Sequence, residues 1–553
     1  MSGLSAGEPV CQRLPVGAVF AVPPRGRKRH YGLFTANEGF LNALLRHSTV
    51  REVHLFVRDT DIEEVKASWH PIVQEISRPF TLRTFPIWAL PDCMASTDYA
   101  AMHWGDPMIH TITELRNAFA RRAFPVTGIT HSLLSDHRNT TYAHLAFSDV
   151  RPYDAVICSS QACAKALRRM LEISQIQSGP EGTVPRPFSA QLPVIPLGVE
   201  MEAHGGFGKS EARRKLGLPP DYAIILCLAR FAPITKMDLH PCLLALQRLI
   251  RENGHERILL LAAGSVDKSD VYFEVMVSRI KALGLTNHVL MKADFPAEEK
   301  GLLLAAADVF LSPSDNLQES FGIAPVEAML AGLPCVLSNW NGYRELVRDG
   351  ETGFLIPTYS SDLDAIFVPR TFIRPDERRF YMAQATAVDI SRMTQTLSQL
   401  LRDEALRRRI GEAARAAARA QFTWIEIIRK YEDLWQQLHE SIPDDEPARL
   451  RKPFLRGQSL DSIFEHYASG RLEGAFAVRT SDRGVRVIEN RETPGCYSTL
   501  SKLIDLRLVR AILHAARGTT SVDDLRRSLP GTSPLLEFNL LWMLKHDFLE
   551  AAD

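Results

Sequence analysis

The segment 311–357, LSPSDNLQESFGIAPVEAMLAGLPCVLSNWNGYRELVRDGETGFLIP, constrains the fold most. An apolar run over 307–312 predicts a strand ending in a polar loop. A short helix is expected next, with Pro325 at its first position, where the missing N–H costs nothing. Gly332 and Pro334 end that helix, and 335–338 starts another strand. Strand, loop, helix and strand in this order make a doubly wound α/β unit, in which ligands sit beyond the carboxyl ends of the strands.

The chemistry of the segment lies in Glu319 and Glu327, with Phe321, Gly322, Ile323 and Ala324 between them. Free N–H groups and the positive dipole end at a helix start favour an anion such as phosphate. A glycine there admits a ligand close to the backbone. Glu319 is expected before the helix and Glu327 inside its first turn. Two readings stand side by side. The acids complement a helix N-terminus, or they accept hydrogen bonds from hydroxyl groups on either side of a bound diphosphate.

The pattern is longer than two glutamates. Glu319-x7-Glu327 within SPS…ESFG…PVEAMLAGLPCV, followed by NGYRELV…GFLIP, resembles the donor-site signature of the family 4 retaining glycosyltransferases. That resemblance implies the GT-B fold, two facing Rossmann-like domains with a nucleotide sugar between them.

The 553 residues suit two to four domains, because single cores stop growing near ~250–300 residues. The formal net charge of zero gives no global pull toward nucleic acid or an anionic membrane. Eight scattered cysteines without a C-x-x-C pair fit buried free thiols in a reducing compartment rather than zinc or redox sites. The polar N-terminus lacks a signal-peptide pattern, and no run of about 18 apolar residues offers a membrane span. The expected location is the cytoplasm, with peripheral attachment to a membrane left open.

Along the chain, strands are expected at 17–22, 53–57, 126–130 and 155–159, with helices from 34 and 161. This alternation argues for a parallel sheet covered on both faces. The basic loop 25–30 reads as solvated, with a phosphate or anionic surface as the other option. VIPLGV at 194–199 matches the family's interdomain segment, and a second α/β series follows: strands at 224–228, 258–263 and 288–291, helices at 242–251, 271–283 and 298–305. The domains are therefore expected at 1–200 (acceptor side), 201–423 (donor side) and 458–553 (accessory). Residues 359–379 read as a loop insertion, 424–441 as a helix crossing back to the first domain, and 442–457 as a proline-rich, charged linker.

In the accessory domain, 474–479 and 484–488 joined by S-D-R read as a β-hairpin. Helices are expected at 498–516, at 521–529 with Thr520 as a cap, and at 533–545. The result is a small α+β, winged-helix-like domain. A DNA-reading helix needs polar and basic residues, whereas LLEFNLLWMLK is mostly apolar, so a core or a protein- or peptide-docking surface is expected instead.

The resemblance also implies site residues. Arg230, after a predicted strand, and Lys236 stand where the family grips the donor diphosphate, although Lys236 lies one residue further on than usual. His131, in GITHSLL, stands where the family places a histidine near the reacting centre, and Gly32 stands for the glycine under the diphosphate, without the usual second glycine. The catalytic set is thus Glu319, His131, Arg230 and Lys236. The donor-binding set is Arg230, Lys236, Phe321, Gly322, Ile323, Ala324, Glu327 and Gly32. His103, Asp106 and His110 are acceptor-side candidates without a motif. Asp59-Thr60-Asp61 resembles the D-x-D metal site of the other large glycosyltransferase fold, but a cationic pair takes the place of a metal here, so no metal and no cofactor beyond the nucleotide sugar is expected.

Taken together, these features imply a metal-independent retaining transferase that moves a hexose-type sugar from a UDP- or GDP-sugar to an acceptor the sequence does not identify. The alternatives are a nucleotide-sugar hydrolase or epimerase on the same fold, or a binding protein acting through residues 458–553.

Overall fold

A computed structural model of the chain describes residues 8–20, 32–133, 138–180, 182–200, 206–266, 272–296, 298–371, 375–448, 471–497, 500, 503–529 and 535–552. Two compact units are present, Met1–Leu455 and Arg456–Asp553.

The larger unit holds two six-stranded sheets. The first comprises β1 (Val16–Val19), β2 (Glu52–Val57), β3 (Thr81–Pro86), β4 (Ala101–Trp104), β5 (Val126–Ile129) and β6 (Ala155–Ile157), in the order β3-β2-β1-β4-β5-β6. The second comprises β7 (Ala223–Leu228), β8 (Ile258–Gly264), β9 (Val289–Ala293), β10 (Val309–Ser312), β11 (Cys335–Ser338) and β12 (Phe354–Ile356), in the order β12-β11-β10-β7-β8-β9. Every neighbouring pair in both sheets is parallel. The central strands read as unbroken apolar runs, such as AIILCL in β7 and ILLLAAG in β8, because helices cover both faces. Each sheet has the doubly wound order, with its reversal between β1 and β4 or between β7 and β10.

The predicted strands form within a residue or three of the expected bounds, but β3, β4 and β12 escaped the sequence reading. β3 reads TLRTFP, with an arginine and a proline in it, and the runs AMHW of β4 and FLI of β12 are too short to show a period. The expected loop insertion at 359–379 instead carries the helices Asp364–Thr371 and Pro375–Gln384, flanked by the antiparallel pair Thr358–Tyr359 and Ala387–Val388. The basic loop 25–30 lies outside the described residues.

Helix Trp424–Glu440 packs on the first sheet's side, against helix Gly32–His47. Its residues Trp424, Tyr431 and Trp435 bury their rings, with Phe40 4.7 Å from Tyr431 between centroids. Polar ends fix its register: Trp435 Nε1 donates to Thr127 Oγ1 at 3.1 Å, and Glu432 Oε1 accepts from the Thr49 amide and hydroxyl, both at 2.7 Å. Beyond it, the stretch expected to be a free linker is anchored at its start. Tyr153 donates to Glu446 Oε1 at 3.0 Å, and Arg151 approaches the same oxygen, so one acid holds 442–448 down despite the proline-rich, charged composition; 449–457 lies outside the described residues.

The smaller unit has an antiparallel sheet in which Ala477–Thr480 runs between Thr520–Ser521 and Leu549–Ala552. The expected hairpin is absent: residues 484–488 belong to helix Asp482–Ile488. Ser481 caps that helix by accepting from the Gly484 amide, and this local bond outweighs the strand-like alternation VRVI. The 498–516 expectation shortens to Leu506–Ala515, which Asp505 caps. Ser521, not Thr520, caps Val522–Ser528. Helix Leu535–Lys545 turns Leu536, Leu540 and Met543 into the core and leaves Phe538 and Leu541 exposed.

Gly198 shows how tightly the terminal helix is seated. A Cβ at this position would lie 2.2 Å from Trp424 Cε3. Gly198→Ala is therefore expected to lower the thermal midpoint of the larger unit, at a cost of about 1–3 kcal/mol. Hydrogen exchange should localise the loosened protection to 424–440.

Candidate active site

The carboxyl ends of β7 and β10 lie beside the second sheet's reversal, and the signature residues leave from these two ends. After β7 the chain stays against β8: the Ala229 amide donates to the Ala263 carbonyl at 3.0 Å and the Phe231 amide to Ser265 at 3.0 Å. Gly264 makes this possible, since a Cβ there would stand 1.7 Å from the Ala229 oxygen. Arg230 sits half-buried at this exit. A turn then brings the Lys236 amide onto the Ala232 carbonyl at 2.8 Å.

The loop after β10 is pinned to that turn by Asn316, which is fully buried. Its side-chain amide donates to the Pro233 and Ile234 carbonyls at 3.3 and 2.5 Å, its Oδ1 accepts from the Gln318 amide at 2.8 Å, and its own carbonyl accepts from Trp340 Nε1 at 3.0 Å. Lys236 Nζ consequently reaches Glu319 Oε2 at 3.0 Å.

Helix Ile323–Ala331 starts at Gly322 with φ +109° and has no side-chain cap. A Cβ on Gly322 would meet the Tyr343 ring at 2.4 Å, and Tyr343 OH is itself paired with Ser312 Oγ at 3.0 Å. The left-handed glycine starts the helix two residues before Pro325, which is third rather than first, so Glu327 falls beyond the first turn. Glu327 is 6% exposed, and Lys300 Nζ donates to its Oε1. Burial raises its pKa above the usual carboxylate value, and the Lys300 ammonium opposes that rise. Phe321 is buried, while Ile323 and Ala324 are partly exposed at the helix start.

The two halves of the unit meet here. Ser320 Oγ donates to the His131 carbonyl at 2.8 Å, and Ser160 Oγ donates to the Ser320 carbonyl at 2.7 Å. Glu345 accepts from the Gln161 and Ala162 amides at 2.7 and 2.8 Å, complementing the start of helix Gln161–Ser178. His131, just beyond β5, is thereby placed beside the signature loop. Gly32 opens helix Gly32–His47 on the first sheet's side.

The remaining candidates serve other contacts. His103 is buried in β4 at 1% exposure, with Nδ1 3.0 Å from Thr127 Oγ1 and its pKa pushed down to about 3 by burial and by His131. Asp106 accepts from the Met108 amide at 3.2 Å, and His110 is buried 6.4 Å from the His144 ring. Asp59 and Asp61 sit on an exposed turn, where they accept from Trp88 Nε1 and from Arg58. The sequence reading missed Lys300, Ser320, Glu345 and Asp315. The first three pair with residues far away in the chain, which spacing cannot show. Asp315 adjoins the quoted SPS and looked like loop polarity.

Residues 208–366 match the family model described as glycosyl transferases group 1. The second α/β half is a group 1 glycosyl transferase domain. Two curated relatives agree with this. A D-inositol 3-phosphate glycosyltransferase of Segniliparus rotundus is 24% identical over 355 residues, spanning 59% of this chain and 75% of the relative. A GDP-mannose-dependent alpha-(1-6)-phosphatidylinositol monomannoside mannosyltransferase of Mycolicibacterium smegmatis is 30% identical over 198 residues, 34% of this chain and 49% of that protein. Among solved structures, Anabaena HepE in complex with UDP superposes with a TM-score of 0.53 at 18% identity, covering 77% of this chain and all of HepE. This likeness, with the two doubly wound sheets, gives the chain the GT-B fold.

Within the glycosyl transferase domain, Asp315 is buried, and the structure shows no hydrogen-bond partner for its Oδ1. Burial pushes its pKa from 3.8 to about 8; Asp238 adds to the rise by its charge while its amide, 3.5 Å from Oδ2, works against it. Between these two values the folded protein keeps a proton that the unfolded chain has lost, so this group's contribution to stability falls as pH rises. Asp315→Asn removes the penalty. Its advantage over the wild type in chemical denaturation is expected to grow by roughly 2–4 kcal/mol between about pH 5 and pH 8.

Proposed function

We propose that this chain is a retaining, family 4-like glycosyltransferase that moves a hexose-type sugar from a UDP- or GDP-sugar to an acceptor without a metal. The observation that carries the reading is the pairing of Lys236 with Glu319 and of Lys300 with Glu327 on the two sides of an uncapped helix start at the sheet's reversal. The family match over 208–366 and the names of the two relatives support transfer from a nucleotide sugar. The UDP named in the HepE structure supports a uridine donor, and the mycolicibacterial relative's name supports a guanosine one.

Each residue then has a physical task. Glu327 accepts from the ribose hydroxyls. The amides at 321–324, aligned with the helix dipole, receive the diphosphate. Arg230 supplies a planar fork and Lys236 a point charge to the leaving diphosphate, whose negative charge grows as its bond to the anomeric carbon breaks. Glu319 accepts from hydroxyls of the transferred sugar, and His131 faces the reacting centre from the other half. Retention follows from front-face attack, with the departing diphosphate oxygen taking the acceptor's proton.

Thermal-shift screening against UDP-, GDP- and ADP-sugars is expected to give a stabilising shift with one of the first two, since a ligand bound to the native state raises its stability. Purified protein should then turn that donor over in the presence of EDTA. Glu327→Ala is expected to lower kcat/KM for the donor about 10–100-fold, and Arg230→Ala to lower kcat about 100-fold or more. Intact donor binding and turnover in Glu327→Ala would sink this assignment.

A further inference from the structure

We propose that Lys300 is a positioning residue that keeps Glu327 ionised and aimed, and so makes the site select nucleotides by their ribose hydroxyls. The inference rests on the nucleotide-sugar reading above.

Lys300 lies in the first turn of helix Glu299–Ala306, and its ammonium donates to Glu327 Oε1 across to helix Ile323–Ala331. The carboxylate is nearly enclosed, while the lysine side chain keeps 35% of its surface exposed. The charge is therefore brought to the carboxylate from the solvent side on a flexible stem. A vicinal diol donates two hydrogen bonds and needs an ionised acceptor; a protonated Glu327 would itself donate and could receive only one of them well. Burial by itself drives Glu327 toward the neutral form, and Lys300 is the counter-charge that opposes it. An ammonium with three donors can also hold the carboxylate and reach a ribose oxygen together.

The described neighbours leave this task to Lys300. Strands β10 and β11, which flank the helix, read VFLS and CVLS and carry no charge. Arg415, from helix Glu404–Gln421, bonds the Ala331 carbonyl at the opposite end of the Glu327 helix. Glu299, beside Lys300 in the chain, is taken by Lys292 at 2.5 Å. Tyr343 pairs with Ser312, and Glu345 is spent on the start of helix Gln161–Ser178.

Binding to the full chain tests the proposal. UDP, GDP and ADP are titrated calorimetrically, and the tightest of them is compared with its 2′,3′-dideoxy form. The wild type is expected to prefer the ribonucleotide about 10–100-fold, as hydrogen bonds to a charged group require. In Lys300→Met this ratio should fall to about threefold or less at pH 7, and the acid limb of ribonucleotide binding should move to higher pH; Lys300→Arg should restore both. Lys300→Gln serves as the second variant if Lys300→Met lowers the melting temperature. A wild-type ratio retained in both neutral variants overturns the role of Lys300 and leaves the nucleotide-sugar reading standing. A wild type that binds none of the three nucleotides, or binds both sugar forms equally, overturns that reading and this inference with it.

Discussion

The geometry of the cleft depends on one fully buried side chain, Asn316. A loop between a strand and a helix on a parallel sheet has no partner strand of its own, so its polar backbone needs side-chain or cross-loop bonds. Asn316 supplies them with both faces of its side-chain amide, the Nδ2 donor and the Oδ1 acceptor. It donates twice into the turn 233–234 and accepts from its own loop, while its carbonyl receives Trp340 from beyond β11. Three loops that leave neighbouring strands are thus tied at one point. Lys236 and Glu319 lie on two of them, and their 3.0 Å contact follows from that tie.

The same loop joins the two halves of the larger unit. Ser320, next to Glu319, is held from the first half by Ser160 and itself holds the His131 carbonyl, while Glu345 complements the start of helix Gln161–Ser178. These contacts are few and polar, and they lie beside the candidate chemistry. Helix Trp424–Glu440 supplies the apolar counterpart, with Trp424 filling the space over Gly39 and Gly198. A nonpolar strap on one side and a polar latch at the cleft let the halves keep a fixed register where the signature loop meets His131.

Much of this was legible in the sequence for physical reasons. Parallel strands buried on both faces are unbroken apolar runs, so β7, β8 and β10 stand out by composition. Gly332 announced the end of the signature helix because a helix C-terminus favours left-handed backbone, whereas Gly322, read as an opening for a ligand, proved to mark its start; both adopt positive φ. What stayed hidden depends on distance along the chain. Nothing local to Lys300 points to a glutamate 27 residues away, and Glu345 gives no sign that its partners are the amides of 161 and 162. The misread 484–488 segment failed in the other direction: a single serine cap decided between two periods that five residues cannot separate.

The two lysine–glutamate pairs also bear on how a ligand would enter. Each of the two signature glutamates already has a cation. On the proposed reading a diphosphate brings negative charge to the uncapped helix start, where it competes with Glu319 for the Lys236 ammonium. The compact, freely rotating ammonium of a lysine suits such an exchange, since it can share its three protons during the hand-over. As Lys236 turns toward the diphosphate, Glu319 regains an acceptor oxygen, and the sugar attached to that diphosphate carries the hydroxyls to fill it. Glu327 is different: its partner Lys300 comes from helix Glu299–Ala306, and on the proposed reading it stays with the carboxylate that takes the ribose. One pair is then released by the ligand and the other persists, which divides the two glutamates between the reacting end of the donor and its anchored end.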